Sequence, residues 1–473
     1  MRRGARDLML LVAAKLGVGL AVLATGFRAV SDDDFARVVL SQRWAEDPRL
    51  DPTGTSWLPL PFWIHGGVMR VFGPSLDVAR VTAVVLGVAA VVLLYAAGRV
   101  WWRDRRDAWW GALVGAVFPW SAYLGVATVP ELPTAAATVF GIATLGATRP
   151  AVRAVGALAL SAACLCRYEP WPATALFGAW TLVDLVRAPE PKERVRWFGV
   201  MALAALGPAM WLTFNAWAHG DPLHFAARVS AYQRAVGGPR SLFTYVSALA
   251  REEPELMAFG VVVAGYRSRQ DEMRRRGPAS RRVGLTLGGT LLALSLASLP
   301  GSAPTHHSGR AVLAVWLGLA LYIAPSSRRA LRGPRRRVVA LAGLAVIVLG
   351  ATVLRPWYAR RDRFTPRTAE VAVGVATRNG PGPVLVEVVD YRFYAIEAGS
   401  GAPGRFIRDR TIDPRGPVPA NAFSSPAHLR RRIVETGARA VVGTRAAIRR
   451  AELGPPVATH GDWMLVVVAG PHP

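Results

Sequence analysis

The chain has 473 residues, with 57 Lys or Arg against 31 Asp or Glu and a formal net charge of +26, yet it is 52% apolar and its mean hydropathy is +0.27. A soluble protein so rich in arginine rarely keeps a positive mean hydropathy, so charge and apolar residues must be segregated into blocks. A nucleic-acid-binding protein is excluded too, because that reading needs a basic, aromatic-interleaved soluble domain, whereas much of this charge lies in short stretches between apolar runs.

The runs, in chain order, are Leu8–Val30, Val78–Val100, Trp109–Tyr123, Leu132–Ala147, Val152–Cys166, Trp171–Val186, Trp197–Ala218, the short Leu256–Tyr266, Val283–Pro300, Ala311–Pro325 and Val338–Leu354. Several fall below the roughly 20 residues of a usual span, and flanking Trp, Tyr and Arg extend them into the interface. The first run follows Arg2, Arg3 and Arg6, as a signal peptide would, but it is longer than a signal core and ends without a small-residue cleavage pattern. It is read as a retained span. The fold class predicted is an all-α polytopic membrane protein of about 11 transmembrane helices over residues 1–355, in the plasma (inner) membrane. With the N-terminus cytoplasmic, the inside segments hold about 25 Lys or Arg against about 10 in the opposite loops, the positive-inside asymmetry.

Past Arg355 the composition changes. Val384–Val389, Ala438–Val442 and Met464–Val468 read as buried strands, and Ala427–Thr436 and Thr444–Leu453 as helices with basic faces. Residues 356–473 are therefore expected to form a small α/β domain, extracytoplasmic if there are eleven spans and cytoplasmic if the weak eighth run is not one. Cys164 and Cys166 point to different faces of a helix and suggest neither a disulfide nor a metal pair. No nucleotide-phosphate loop is visible, which argues against an ATP-driven pump.

Candidate chemistry gathers in the outer loops. The first opens with Ser31-Asp32-Asp33-Asp34 directly after the first run. Adjacent carboxylates raise at least one pKa and suit a general base or a cation site, while Ser-Asp-Asp is equally a good helix N-cap. Trp44, Trp57, Phe62 and Trp63, with Pro52, Pro59 and Pro61, then suggest short interfacial helices. Further loops bring Glu131 in "TVPELP", Arg167-Tyr168-Glu169, Asn215 with "HGDPLHF", and His306, His307 and Arg310 in "THHSGR" to the same face. Each has a bland alternative as a snorkelling, loop or capping residue, but charges clustered at a lipid boundary are functional candidates.

These landmarks resemble the GT-C superfamily of integral-membrane glycosyltransferases, and more narrowly its protein O-mannosyltransferase and aminoarabinose-transferase type. In that group an acidic pair follows span one, an acid starts span four, Arg-Pro-Glu ends span five and an "N…G-x-P-L" segment follows span seven. Here they become Asp32-Asp33 or Asp33-Asp34, Glu131, Arg167-Tyr168-Glu169, and Asn215 with Gly220-Asp221-Pro222-Leu223, over Met1 to about Pro325. Tyr168 replaces the proline, and the acidic triplet leaves the register open. The resemblance implies inverting transfer of a sugar from a polyprenyl-phosphate donor to an extracytoplasmic glycan, lipid or protein acceptor. Asp33, common to both registers, is the expected base, with Asp32 or Asp34 orienting it or holding a cation. Arg167 and Arg310, backed by His306 and His307, are expected beside the phosphate, and Glu131 and Glu169 beside the acceptor or Arg167. The sequence requires no cofactor and allows a divalent cation. The competing reading, a lipid or solute transporter or flippase, requires charges near the midplane and paired broken spans.

Overall fold

The computed structural model describes residues 2–54, 56–102, 104–237, 241–265, 278–299, 307–330 and 366–468. The bundle runs through α1 (Arg2–Ala24), α2 (Asp32–Glu46), α3 (Leu60–Phe72), α4 (Leu76–Trp102), α5 (Arg105–Val117), α6 (Pro119–Leu124), α7 (Glu131–Ala143), α8 (Pro150–Cys164), α9 (Pro170–Arg187) and α10 (Pro191–His219). It continues through α11 (His224–Val236), α12 (Thr244–Glu252), α13 (Pro254–Gly265), α14 (Pro278–Ser298), a single turn at Ser308–Ala311, and α15 (Leu313–Ala330).

Three described helices are by themselves long and apolar enough to cross a membrane: Gly4–Ala24 within α1, Leu76–Trp102 and Pro191–His219. Pro150–Cys164 and Leu313–Pro325 are shorter apolar helices, and the run Val338–Leu354 lies outside the described residues. Large apolar side chains point outward along several of these helices: Leu20, Val81, Val85, Phe198 and Leu285 are each more than half exposed. Water would penalise such a surface, and lipid would not. Between helices the contacts are close. A Cβ on Gly87 would collide with the Gly125 carbonyl, and one on Gly207 with that of Ser161, so glycine lets the backbones approach.

The run Trp109–Tyr123, read as one span, is broken. Phe118 is extended and Pro119 starts a new helix, because the residue before proline disfavours helical backbone. The break interrupts the helical ladder, and two charged side chains occupy it. Lys15 of α1, buried, donates from Nζ to the Ala116 carbonyl (3.2 Å) and the Ser121 carbonyl (2.6 Å). The Trp120 N–H donates to the Glu253 carboxylate at 2.7 Å.

The C-terminal domain is a five-stranded sheet in the order β2-β1-β3-β5-β4, with β1 (Val384–Val386), β2 (Phe406–Arg408), β3 (Ala440–Thr444), β4 (Ala458–His460) and β5 (Trp463–Val467). The first three strands of that order pair in parallel; β5 and β4 run antiparallel. Alternation along the strands feeds two cores. Val384, Val386, Val442 and Trp463 pack with α16 (Thr368–Ala376) and α17 (Phe393–Ser400). Leu385, Val441 and Met464 pack with α18 (Pro426–Thr436) and α19 (Arg445–Ala451). Three strands and two helices were anticipated; β2, β4, α16 and α17 were not, being short or lacking a clear period.

The domain docks on α2, α3 and the start of α4. Ala395 and Ala398 of α17 enter an apolar patch of Phe35, Val38 and Val39 (α2), Met69 (α3) and Leu76 and Ala79 (α4). At its edge the Gln42 amide donates to the Ala398 carbonyl (3.0 Å), and Arg43 pairs with the wholly buried Glu397 (3.2 Å). The tail thus lies on the same face of the bundle as the acidic triplet.

Candidate active site

Between that domain and the bundle lies a cavity of about 610 Å³, the size of a small-molecule site. The three acids that open α2 have three different environments. Asp34 turns inward and is 2% exposed. One of its oxygens accepts the N–H groups of Val30 (3.0 Å) and Ser31 (3.2 Å), and the other that of Thr128 (3.0 Å). It completes a capping box with Ser31 and ties α2 to the loop before α7. Burial pushes its carboxyl up to about 6, against the opposing pull of Arg310 and the Ser31 and Val30 N–H groups. Asp32 is gripped by both arms of Arg367 (2.9 and 3.0 Å) from the start of α16. Arg367 holds a left-handed backbone, φ 48° and ψ 33°, a conformation that costs a non-glycine residue about 1–3 kcal/mol. Asp33 lines the cavity with its side chain 37% exposed, and its nearest ion-pair partner is Arg310 at 3.5 Å.

A buried charge cluster underlies the cavity and puts Arg167, Glu169 and Arg310 on its floor. Glu131, the first residue of α7, accepts Arg167 Nη1 at 2.8 Å and lies 3.5 Å from Arg310. Arg167 also clasps Glu169 through Nε and Nη2 (3.0 and 2.6 Å). Burial disfavours charge on Arg167, but Glu169 and Glu131 more than offset it and raise its pKa. The donors of Arg167 thus hold the two acids in place. Arg310 donates to Ser31 Oγ (3.0 Å), and its buried Nε has no hydrogen-bond partner among the described residues. His307 lines the cavity, whereas His306 lies outside the described residues.

Arg37 had no part in the sequence argument. It sits one helical turn after Asp33, is 7% exposed and lines the cavity. Its guanidinium lies over the Trp57 ring at 4.5 Å and near Phe62 at 5.6 Å, it is in no ion pair among the described residues, and its Nε is unpartnered. The signal was the i, i+4 spacing from Asp33, which puts both on one helix face. Tyr168, where the resembled motif has proline, bonds the Ser56 carbonyl (2.8 Å) and stacks on Phe225 (4.8 Å), bracing the cavity wall. Asn215 does not join the site; its amide donates to the Trp211 carbonyl of its own helix. Gly220, at φ 72°, ends that helix, and Asp221 caps the following turn through the Leu223 N–H.

As a cation site the triplet fits poorly: Asp32 is held by arginine, Asp34 by N–H groups, and the described residues contain no group of three or more His, Cys, Asp or Glu suited to a metal ion.

No family model and no curated protein matches the sequence. Solved structures do match in shape. ArnT from Cupriavidus metallidurans, solved bound to undecaprenyl phosphate and in the apo state, superposes with a TM-score of 0.63 at 14% identity, over 98% of this chain and 99% of that one. The archaeal oligosaccharyltransferase AglB from Archaeoglobus fulgidus, solved with an inhibitory peptide and a dolichol-phosphate, gives 0.54 at 13% identity, over 95% of this chain and 71% of that one. Both are GT-C-fold glycosyltransferases. The chain therefore has the fold expected from its landmarks.

Proposed function

We propose that the protein is a membrane glycosyltransferase that moves a sugar from a polyprenyl-phosphate donor to an acceptor hydroxyl outside the cytoplasm. One observation carries this reading. Of the two acids of the triplet that line the cavity, Asp32 is gripped by both arms of Arg367, whereas Asp33 has Arg310 at 3.5 Å and lies one helical turn from Arg37, a buried guanidinium in no ion pair among the described residues. The fold supports it, since its solved neighbours were captured with undecaprenyl phosphate and a dolichol-phosphate.

Asp33 takes the proton of the acceptor hydroxyl as that oxygen attacks the anomeric carbon. The bond from that carbon to the phosphate oxygen breaks, and the sugar leaves with inverted configuration. Arg37 and Arg310 receive the charge growing on the departing phosphate, a role suited to preorganised guanidiniums in a site screened from water. Glu131 and Glu169 keep Arg167 rigid beside them.

Purified protein incubated with a panel of polyprenyl-phosphate sugars and crude envelope acceptors should release free polyprenyl phosphate from at least one donor. No turnover of any donor, with lipid movement in reconstituted vesicles, would instead favour the transporter reading.

A further inference from the structure

The roof of the cavity is built by the C-terminal domain: Tyr391, Tyr394, Arg408, Arg410, Asp413 and Arg415. Two of its three arginines are already in ion pairs. Arg408 is held by Glu397 (2.7 and 2.9 Å), and Arg415 by Asp413 (2.6 and 2.8 Å). Arg410 differs. Its Nε donates to the Val388 carbonyl at 2.9 Å, and it is in no ion pair among the described residues. On the same roof the rings of Tyr391 and Tyr394 lie nearly parallel, 9° apart, with centroids at 6.5 Å. The Arg408 guanidinium lies over Tyr394 at 4.8 Å, while Tyr391 remains 38% exposed.

An open aromatic face attracts the polarised C–H bonds of a sugar ring, and an unneutralised guanidinium attracts an oxyanion. Resting on the glycosyltransferase reading, we infer that this roof is the acceptor subsite, and that the acceptor is a saccharide bearing an anionic group, its ring on Tyr391 and its anion on Arg410. The roof cation is then separate from the donor-phosphate cations of the floor, so the two substrates are read by different domains.

The full chain in lipid nanodiscs tests this in two arms. In the first, immobilised probes are a hexuronic-acid disaccharide, its neutral counterpart and a glutamate-rich peptide. In the second, native mass spectrometry follows undecaprenyl phosphate. The unaltered protein should be retained by the uronate disaccharide well above the other two. Arg410→Gln should weaken that retention by about tenfold or more, Arg410→Lys should keep most of it, and Tyr391→Leu should weaken it, all with undecaprenyl phosphate occupancy unchanged. Equal retention by the neutral sugar or by the peptide, or full retention in Arg410→Gln, would overturn the inference. Loss of undecaprenyl phosphate in Arg410→Gln would overturn it as well, by giving the cation to the donor. Saccharide retention as expected, with no undecaprenyl phosphate bound even by the unaltered protein, would strike the donor reading and leave the saccharide site standing.

Discussion

Asp32, Asp33 and Asp34 are neighbours in sequence with three different fates, and their substitutions should separate accordingly. Asp33→Asn keeps shape and leaves no buried bond unmade. It should unfold at the parent temperature and lose on the order of 10²–10⁴-fold in transfer rate, the usual effect of a missing general base. Asp34→Asn should do the reverse. Either orientation of its amide sets an NH₂ against N–H groups of Val30 and Ser31 or of Thr128, which costs about 1–3 kcal/mol. Thermal unfolding beside a transfer assay reads both, and full activity in Asp33→Asn would remove it from the mechanism. Arg37→Lys keeps charge but loses the planar stack on Trp57 and the two-pronged grip on phosphate oxygens. Undecaprenyl phosphate should bind at least several-fold more weakly, as titration would measure; unchanged affinity would reduce Arg37 to a wall residue. The sequence identified the triplet as important but could not choose its register. The choosers, Thr128 and Arg367, lie 94 and 335 residues away. Arg37 went unnoticed because one arginine among so many carries no local signal.

At the level of elements, apolar periodicity located most of the bundle's helices but not where one run breaks. Trp109–Tyr123 reads as one apolar run, and the local signal that divides it is Pro119, which holds Phe118 extended. Lys15, one of only two lysines in an arginine-rich chain, closes the α5–α6 break from a third helix. Lys15→Met, similar in length and able to stay in lipid, should leave the Ala116 and Ser121 carbonyls without this donor. We expect a loss of about 1–3 kcal/mol, seen as a lower unfolding temperature in detergent, with donor affinity unchanged because the cavity is not touched. The opposite end of the bundle is fastened differently. Asp184 of α9 accepts both Arg153 of α8 and Arg282 of α14, joining three helices by charge where the end that holds the cavity joins them through the site.

At the scale of the whole molecule, the two regions are coupled through the site. The tail supplies Arg367 to Asp32 and the cavity roof, and it rests on α2, whose first turn carries the acids. The change of composition past Arg355 precedes the small C-terminal sheet. It could not reveal the docking, because the patch of Phe35, Val38 and Val39 reads equally well as a helix lying on lipid. The docking constrains topology: the tail and the first loop must share one side of the membrane, so an even number of crossings separates them. From the arginine asymmetry we propose that this side lies outside the cytoplasm. Single cysteines introduced at exposed Leu50 in the first loop and Val434 on α18, in a background with Cys164→Ser and Cys166→Ser, test both statements. An impermeant thiol reagent should label both in intact cells, whereas Glu190→Cys should react only after permeabilisation. If both outer sites wait for permeabilisation, the orientation is reversed but the docking survives. If Leu50 and Val434 behave differently from each other, the tail cannot sit on α2. The cavity would then lose its roof, and the acceptor reading would fall with it.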